Sequence, residues 1–101
     1  MLKTKAEIMF TLEGRSYSGN INLRPVFSFG KGLLFSGAVT SEHDEYLQGQ
    51  KYIVDIDFFT VEDEAYEVIK PVLKTDMGLT IQEGKRIIGL AKLLDFAYDK
   101  I

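Results

Sequence analysis

The sequence contains no cysteine and no tryptophan, and it has one histidine and two prolines among 101 residues. The absence of cysteine excludes disulfide bonds, thiolate nucleophiles and cysteine-ligated metal ions, so a reducing, cytoplasmic setting needs no further assumption. No stretch approaches the ~18 apolar residues that a membrane-spanning helix requires. The first residues lack the continuous apolar run of an export signal. These absences predict a cytoplasmic protein with no membrane partner.

Basic residues are in the minority. Lys and Arg number 12 against 15 Asp and Glu, which gives a net charge of −3 at pH 7. That sign is wrong for a domain whose affinity rests on neutralising phosphates, while a local basic patch stays compatible with it. Hydrophobic residues make up 46% of the chain, including seven Phe and five Tyr. Length and composition together predict one globular domain over residues 1–101.

Alternating apolar and polar residues predict a chain made mostly of strands. The alternation is clearest over residues 52–59, where every second residue from Tyr52 to Phe58 is aromatic or aliphatic. Ile53 and Phe59 add apolar residues to the opposite face and predict partial cover there as well. Further strands are predicted over residues 7–12, 19–29, 33–40, 79–83 and 86–97, and the polar segment 41–50 is predicted to be a loop.

Residues 62–73 (EDEAYEVIKPVL) depart from the strand pattern. Three acidic residues closely follow Thr60. The hydroxyl of Thr60 is suited to cap the first amides of a helix. The carboxylates are favoured near the positive end of the helix dipole. Pro71 then ends the helical spacing. We predict one short helix or turn near residues 62–70. Its apolar residues are predicted to face inward: Ala65, Val68 and Ile69.

Short strands separated by turn signals at intervals of about ten residues are typical of sandwiches and barrels. The last strand favours a barrel, because apolar residues occupy both of its faces around Gly89. These residues are Ile87, Ala91 and Leu93 on one face and Ile88, Leu90 and Leu94 on the other. A strand bent through a closed sheet at a glycine is covered in this way. We therefore predict an all-β fold, a small antiparallel closed β-barrel with one short helix.

The chain contains five short motifs. They are Gly14-Arg15, Arg24-Pro25-x-Phe27, Tyr46-Leu47-x-Gly49, Gly78-Leu79 and Ile81-x-Glu83-Gly84-x-Arg86-x-Ile88-Gly89. In order and spacing they resemble the C-terminal (third) β-barrel domain of elongation factor Tu, over about residues 3–96. The second and last motifs are the most specific, because each joins unusual residues at fixed offsets. The resemblance implies a translation-factor-type barrel acting as a stand-alone protein.

The chain departs from that family in two respects. It contains no G-x-x-x-x-G-K-[ST] phosphate-binding loop, and neither the GTPase domain nor the second barrel of the family is recognisable, so nucleotide hydrolysis is not expected. The segment between Phe59 and Gly78 is longer than its equivalent in the family. We expect this segment to cover apolar surface that neighbouring domains would otherwise bury, which would let the barrel stand alone.

The charged turn Glu83-Gly84-Lys85-Arg86 is the main candidate site. In elongation factor Tu, the loops at the matching motifs lie near surfaces that hold the T stem of aminoacyl-tRNA and contact proteins. Carried over by matching position, the resemblance implies these partner- or RNA-binding residues: Arg15, Gly84, Lys85 and Arg86, with Lys85 in place of the family's usual second glycine. The alternative is that the turn only closes a tight hairpin, with Gly84 at a positive φ and the charges solvated.

Catalytic groups are sparse. His43, the only histidine, lies beside a serine and carboxylates within residues 41–45. Adjacent residues on one loop rarely hold a nucleophile, a base and an orienting group within mutual reach. No spacing places two metal ligands on one face of a regular element. We therefore expect no catalysis, metal or cofactor. A small enzyme using His43 is the remote alternative, and it needs a pocket that joins His43 to a second titratable group.

Two functions fit these expectations. The first is a non-catalytic binding module that recognises another protein as an adaptor, an inhibitor or an immunity-type partner of a toxin. The alternative is a tRNA- or RNA-binding accessory protein of translation that uses Arg15, Lys85 and Arg86. Lysines that would assist are Lys5, Lys31 and Lys92. The net charge of −3 argues against the alternative, so the sequence favours a protein partner.

Overall fold

The computed structural model describes residues 1–11, 16–18, 25–40, 43 and 45–99. Within these residues the chain forms nine strands, one α-helix and one 3₁₀ turn. The strands are β1 (Leu2–Phe10), β2 (Ser16–Ser18), β3 (Val26–Ser28), β4 (Leu34–Ser36), β5 (Ala38–Thr40), β6 (Glu45–Leu47), β7 (Lys51–Phe58), β8 (Gly78–Glu83) and β9 (Arg86–Tyr98). The helix α1 (Asp63–Ile69) runs directly into the 3₁₀ turn Lys70–Val72.

Strand β1 lies near the centre of an antiparallel sheet whose seven described strands follow the order β4-β3-β8-β9-β1-β7-β5. Its alternating sequence accounts for this position, because one face is fully buried from Leu2 to Phe10 while Lys3 and Lys5 point to solvent. Thr4 shares the buried face. Its hydroxyl donates a hydrogen bond of 2.9 Å to the backbone carbonyl of Ile56, so the buried polar group is satisfied.

The two outermost strands of this sheet, β4 and β5, are separated in the chain by Gly37 alone. The chain therefore passes from one edge of the sheet to the other within one residue, and the sheet is nearly closed into a barrel. The N–H of Gly37 donates a 3.0 Å hydrogen bond to the carbonyl of Pro25, which precedes β3. The predicted all-β barrel with one short helix is confirmed.

Aromatic rings fill one part of the barrel interior. The ring of Phe58 lies with its centroid 5.5 Å from that of Phe27 and 5.3 Å from that of Phe29, and Phe29 also contacts Phe35. All three pairs meet at steep interplanar angles, the edge-to-face arrangement that the ring quadrupole favours. Phe27, Phe29 and Phe58 are buried. Phe27 is on β3 and Phe29 directly follows it, whereas Phe58 is on β7, on the opposite side of the Gly37 corner. The core thus packs across the line where the sheet closes.

The burial of the side chains on strand β9 differs from the prediction. In the pairing with β8, Ile81 lies opposite Gly89 and Gln82 opposite Ile87, which leaves Ile88 as an extra, bulged residue. Ile88 and Gly89 are consequently both buried. The expectation that both faces are covered is wrong, because Ile87 and Leu90 are exposed.

Two further predictions of local structure are corrected. The segment 41–50, predicted to be a loop, contains β6, which pairs with β2 in a separate two-stranded sheet. Tyr46 at the centre of β6 is buried, so this short strand also contributes to the core. The cover predicted for the outer face of β7 is absent at Ile53 and Phe59, since about half of each side chain is exposed.

The helix near residues 62–70 forms as predicted, with a different inward face. Ile69 is fully buried, whereas Val68 is 58% exposed, so its predicted inward position is wrong. Val61, just before the helix, is fully buried and supplies the second aliphatic anchor. The N-terminal cap position is Glu62, which makes no side-chain capping hydrogen bond, and the cap predicted from Thr60 is therefore wrong too.

Polar and aromatic contacts hold α1 against the ends of β1 and β9. The ring of Tyr66 stacks on that of Tyr98, with centroids 4.0 Å apart and an interplanar angle of 5°. The hydroxyl of Tyr98 donates a 2.6 Å hydrogen bond to Oδ1 of Asp63. This hydrogen bond raises the pKa of Tyr98 to about 12, because ionisation would lose it and set a phenolate beside a carboxylate. The N-terminal ammonium of Met1 lies 3.5 Å from Glu62.

Candidate functional site

The predicted charged turn joins β8 to β9. Glu83 and Arg86 pair at its base, and Gly84 and Lys85 are its two central residues. Gly84 has a φ of 62°, and Lys85 is not among the residues with positive φ. A positive φ at the first central residue alone is the pattern of a type II′ turn, which matches the twist of paired strands and favours glycine. The predicted tight hairpin with Gly84 at a positive φ is confirmed.

The turn presents its charges to solvent. Gly84, Lys85 and Arg86 are exposed, and neither Lys85 nor Arg86 forms an ion pair with another described residue. Three of the four predicted binding residues therefore lie together at one end of the sheet. Arg15, the fourth, lies outside the described residues. The turn closes the hairpin between β8 and β9. Its cations are also exposed, so a partner could reach them.

An exposed apolar surface adjoins this turn on the outside of β7, β1 and β9. Ile87 and Leu90 of β9 are 53% and 47% exposed, and Ile53 of β7 is 50% exposed. Met9, on β1 between those two strands, is partly buried and points the same way. These four residues are called the outer apolar face: Ile53, Met9, Ile87 and Leu90.

The strand register makes these side chains neighbours. Leu90 lies directly opposite Met9, which places their Cβ atoms ~4.5–5.5 Å apart. Lys51 lies opposite Met9 on the other side, and Ile53 is two residues further along β7. Ile53 and Met9 are therefore diagonal neighbours at roughly 7–8 Å, a distance that long side chains bridge. The outer apolar face thus crosses three adjacent strands.

The bulge at Ile88 creates this surface. Strict alternation puts residues 87 and 90 on opposite faces of a strand. With Ile88 as the extra residue, Ile87 lies opposite Gln82 and Leu90 opposite Thr80, and both therefore project outward. Reasoning from the sequence missed this face. The available signal was Gly89 directly after two isoleucines, because a glycine inside a strand often marks a bulge.

Charged side chains border the outer apolar face. The cations are Lys51, Lys85, Arg86 and Lys92, and the anions are Glu7, Asp55 and Glu83. The Nζ of Lys51 lies 3.8 Å from Oε1 of Glu7, and Lys92 lies opposite Glu7 on the other neighbouring strand. The described border therefore carries one more positive than negative charge, although the whole chain has a net charge of −3.

His43 lies among aromatic rings. Its ring centroid is 4.7 Å from that of Tyr52 and 6.0 Å from that of Tyr46, with steep interplanar angles. The hydroxyl of Tyr52 accepts a 2.8 Å hydrogen bond from the N–H of Leu47 and donates to Gln50 at 3.3 Å. These contacts tie the start of β7 to the end of β6. The carboxylates predicted beside His43 at positions 42 and 44 lie outside the described residues.

The geometry defines a small, nearly closed antiparallel β-barrel. No known protein-family model and no curated protein matches its sequence. In the described part of the chain, no three His, Asp or Glu side chains are grouped so as to hold a metal ion. Among the same residues, no helix has the length and apolar character needed to cross a bilayer. The resemblance to the elongation factor Tu barrel stays a prediction that rests on the five motifs.

Proposed function

We propose that this chain is a non-catalytic binding module that recognises another protein through the outer apolar face and the adjoining turn at residues 83–86. The observation that carries the proposal is the grouping of Ile53, Ile87 and Leu90, each about half exposed, on one face. Apolar patches rimmed by polar residues mark interaction sites in soluble proteins. Completing the burial of each side chain would contribute roughly 1 kcal/mol.

The chemistry of the surface favours a protein over a nucleic acid. An apolar centre with a charged rim is the anatomy of a protein–protein interface. RNA binding by Lys85 and Arg86 is the competing hypothesis, and it predicts an affinity that depends on salt and on the number of phosphates contacted. It does not require exposed aliphatic side chains, so the two hypotheses differ in their dependence on Leu90.

The resemblance to the elongation factor Tu barrel supports the same proposal, because that domain takes part in protein contacts. On this basis the chain acts as an adaptor, an inhibitor or an immunity-type partner in a translation-related setting. A cytoplasmic location belongs to this proposal, and it is supported by the absence of cysteine from the chain.

Affinity capture with matched variants tests the proposal. Tagged wild type should recover a stoichiometric protein partner from a lysate of the source organism, and Leu90→Asp should lose it. Val68→Asp is the control, since Val68 is also an exposed aliphatic residue but lies on α1. Ile53→Asp is a second variant on the same face and should also lose the partner. The partner, once purified, should bind wild type and Val68→Asp alike in calorimetry.

Either of two results would reject the proposal. Retention of the partner by both Leu90→Asp and Ile53→Asp would remove the outer apolar face as the site. Loss with Val68→Asp alone would move the site to α1. Urea denaturation of each variant separates lost binding from lost folding, and exposed positions of this kind change stability by only about 0.5 kcal/mol.

A further inference from the structure

We infer that the partner surface seated on the outer apolar face is an acidic protein segment with large apolar side chains. The inference rests on the proposed function and adds the chemical class of the partner. It is carried by the distribution of charge over the described residues, which differs between the two ends of the barrel.

One end of the barrel is acidic. The residues at and after the start of α1 include Glu62, Asp63, Glu64 and Glu67, all exposed. This end is fixed in space by the hydrogen bond from Tyr98 to Asp63 and by the contact of the Met1 ammonium with Glu62. It therefore lies where β9 ends and β1 begins.

The opposite end carries the outer apolar face. The turn at residues 83–86 lies where β9 begins, and β9 is 13 residues long. At ~3.4 Å per residue such a strand reaches about 40 Å, and the longest dimension of the molecule is 38 Å. The acidic α1 is thus too far away to neutralise the cations around the face, since charges further apart than ~10 Å are largely screened at ordinary salt.

Among the described residues, carboxylates compensate these cations in part. Glu7 lies 3.8 Å from Lys51 and opposite Lys92, so one anion faces two ammonium groups, and Asp55 lies beside Ile53 on β7. Glu83 pairs in register with Arg86 beside the further cation Lys85. Among the described residues, one positive charge remains in excess around the apolar centre. A segment with carboxylates flanking large apolar side chains complements both features, and a basic segment would be repelled.

Peptide display tests this inference with a defined probe. A random peptide library on phage is selected on the full chain at low salt and counter-selected on Leu90→Asp. We expect the enriched peptides to combine Asp or Glu with large apolar residues. A synthetic copy of one such peptide should bind less tightly as salt rises, and Lys51→Ala with Lys92→Ala should weaken it by about threefold or more. Lys74→Ala, an exposed lysine outside the border, should leave its affinity unchanged.

The outcomes separate the inference from the proposed function. Enriched peptides that depend on Leu90 but lack acidic residues, or that ignore the two lysine substitutions, would overturn the inference and leave the binding module standing. If no peptide distinguishes wild type from Leu90→Asp, or if total tRNA binds both equally, the proposed function fails and the inference fails with it. Wild type could also bind to itself. If Leu90→Asp and Glu64→Lys each abolish this self-association, the occupant of the outer apolar face is a second copy of the chain, and the inference is overturned.

Discussion

Gly37 lies at the corner where the sheet closes, between β4 and β5. A Cβ at this position would lie 2.6 Å from Cγ2 of Ile56, 2.9 Å from Cε1 of Phe58 and 3.0 Å from Cε2 of Phe27. Core side chains therefore already occupy the volume that any other residue would need. The requirement for glycine at this corner comes from packing between strands that are distant in the chain.

Replacement of Gly37 by alanine should destabilise the protein. We expect the free energy of unfolding to fall by about 1–3 kcal/mol, the usual cost of overpacking a core. Gly78→Ala is the matched control, because a Cβ there meets nothing within 4 Å and the backbone has no positive φ. Urea denaturation measures both. Equal effects of the two substitutions would contradict the packing account of the corner.

Tyr98 should ionise above the ordinary pKa of a tyrosine. Its pKa is raised from 10.0 to about 12, chiefly by the hydrogen bond to Asp63. A pKa raised in the folded state adds stability that is fully present below pH 10 and is lost as the pH rises towards 12. The tyrosinate absorbance follows this ionisation, and Asp63→Asn should bring the pKa of Tyr98 down. An unchanged titration in that variant would show that the hydrogen bond is not the cause.

At the scale of elements, α1 shows what helical spacing can and cannot predict. The acidic start and the apolar residues at positions 65, 68 and 69 indicated a helix, and it forms. Adjacent apolar residues on a helix point about 100° apart, so spacing alone does not decide which of Val68 and Ile69 faces inward. That choice depends on how the helix packs against the end of the barrel.

Two alanine substitutions on α1 should have unequal effects. Ile69→Ala should lower the free energy of unfolding by about 2–5 kcal/mol, because it opens a cavity beneath the helix. Val68→Ala should change it by no more than about 0.5 kcal/mol, since Val68 is exposed. Urea denaturation again provides the measurement. A large loss with Val68→Ala, or none with Ile69→Ala, would show that the helix packs by its other face.

The strands differ in how well the sequence predicts them. Long alternation predicts β7, and the Glu-Gly-Lys-Arg turn predicts the β8–β9 hairpin with its positive φ at Gly84. The three-residue strand β6 has too few residues for a periodic signal. The bulge at Ile88 is fixed by pairing with β8, so local alternation assigns Leu90 to a covered face. The turn half of the candidate site was therefore predictable, and the apolar half was not.

At the scale of the whole molecule, the two ends of the barrel differ in how completely their apolar side chains are covered. The helix end is held by the stacked pair Tyr66 and Tyr98 and by the buried Ile69. The turn end leaves apolar side chains half exposed within a positive border. Because α1 packs at one end of the barrel, the outer surface near the opposite end stays accessible, as the proposed function requires.

Photo-cross-linking inside the source organism tests the central claim most directly. A benzophenone amino acid replaces Leu90 in one variant and Val68 in another, two exposed positions on the outer apolar face and on α1. We expect one discrete protein adduct from position 90 and none from position 68. No adduct at position 90, an adduct at position 68 alone, or cross-linking of position 90 to RNA would contradict it.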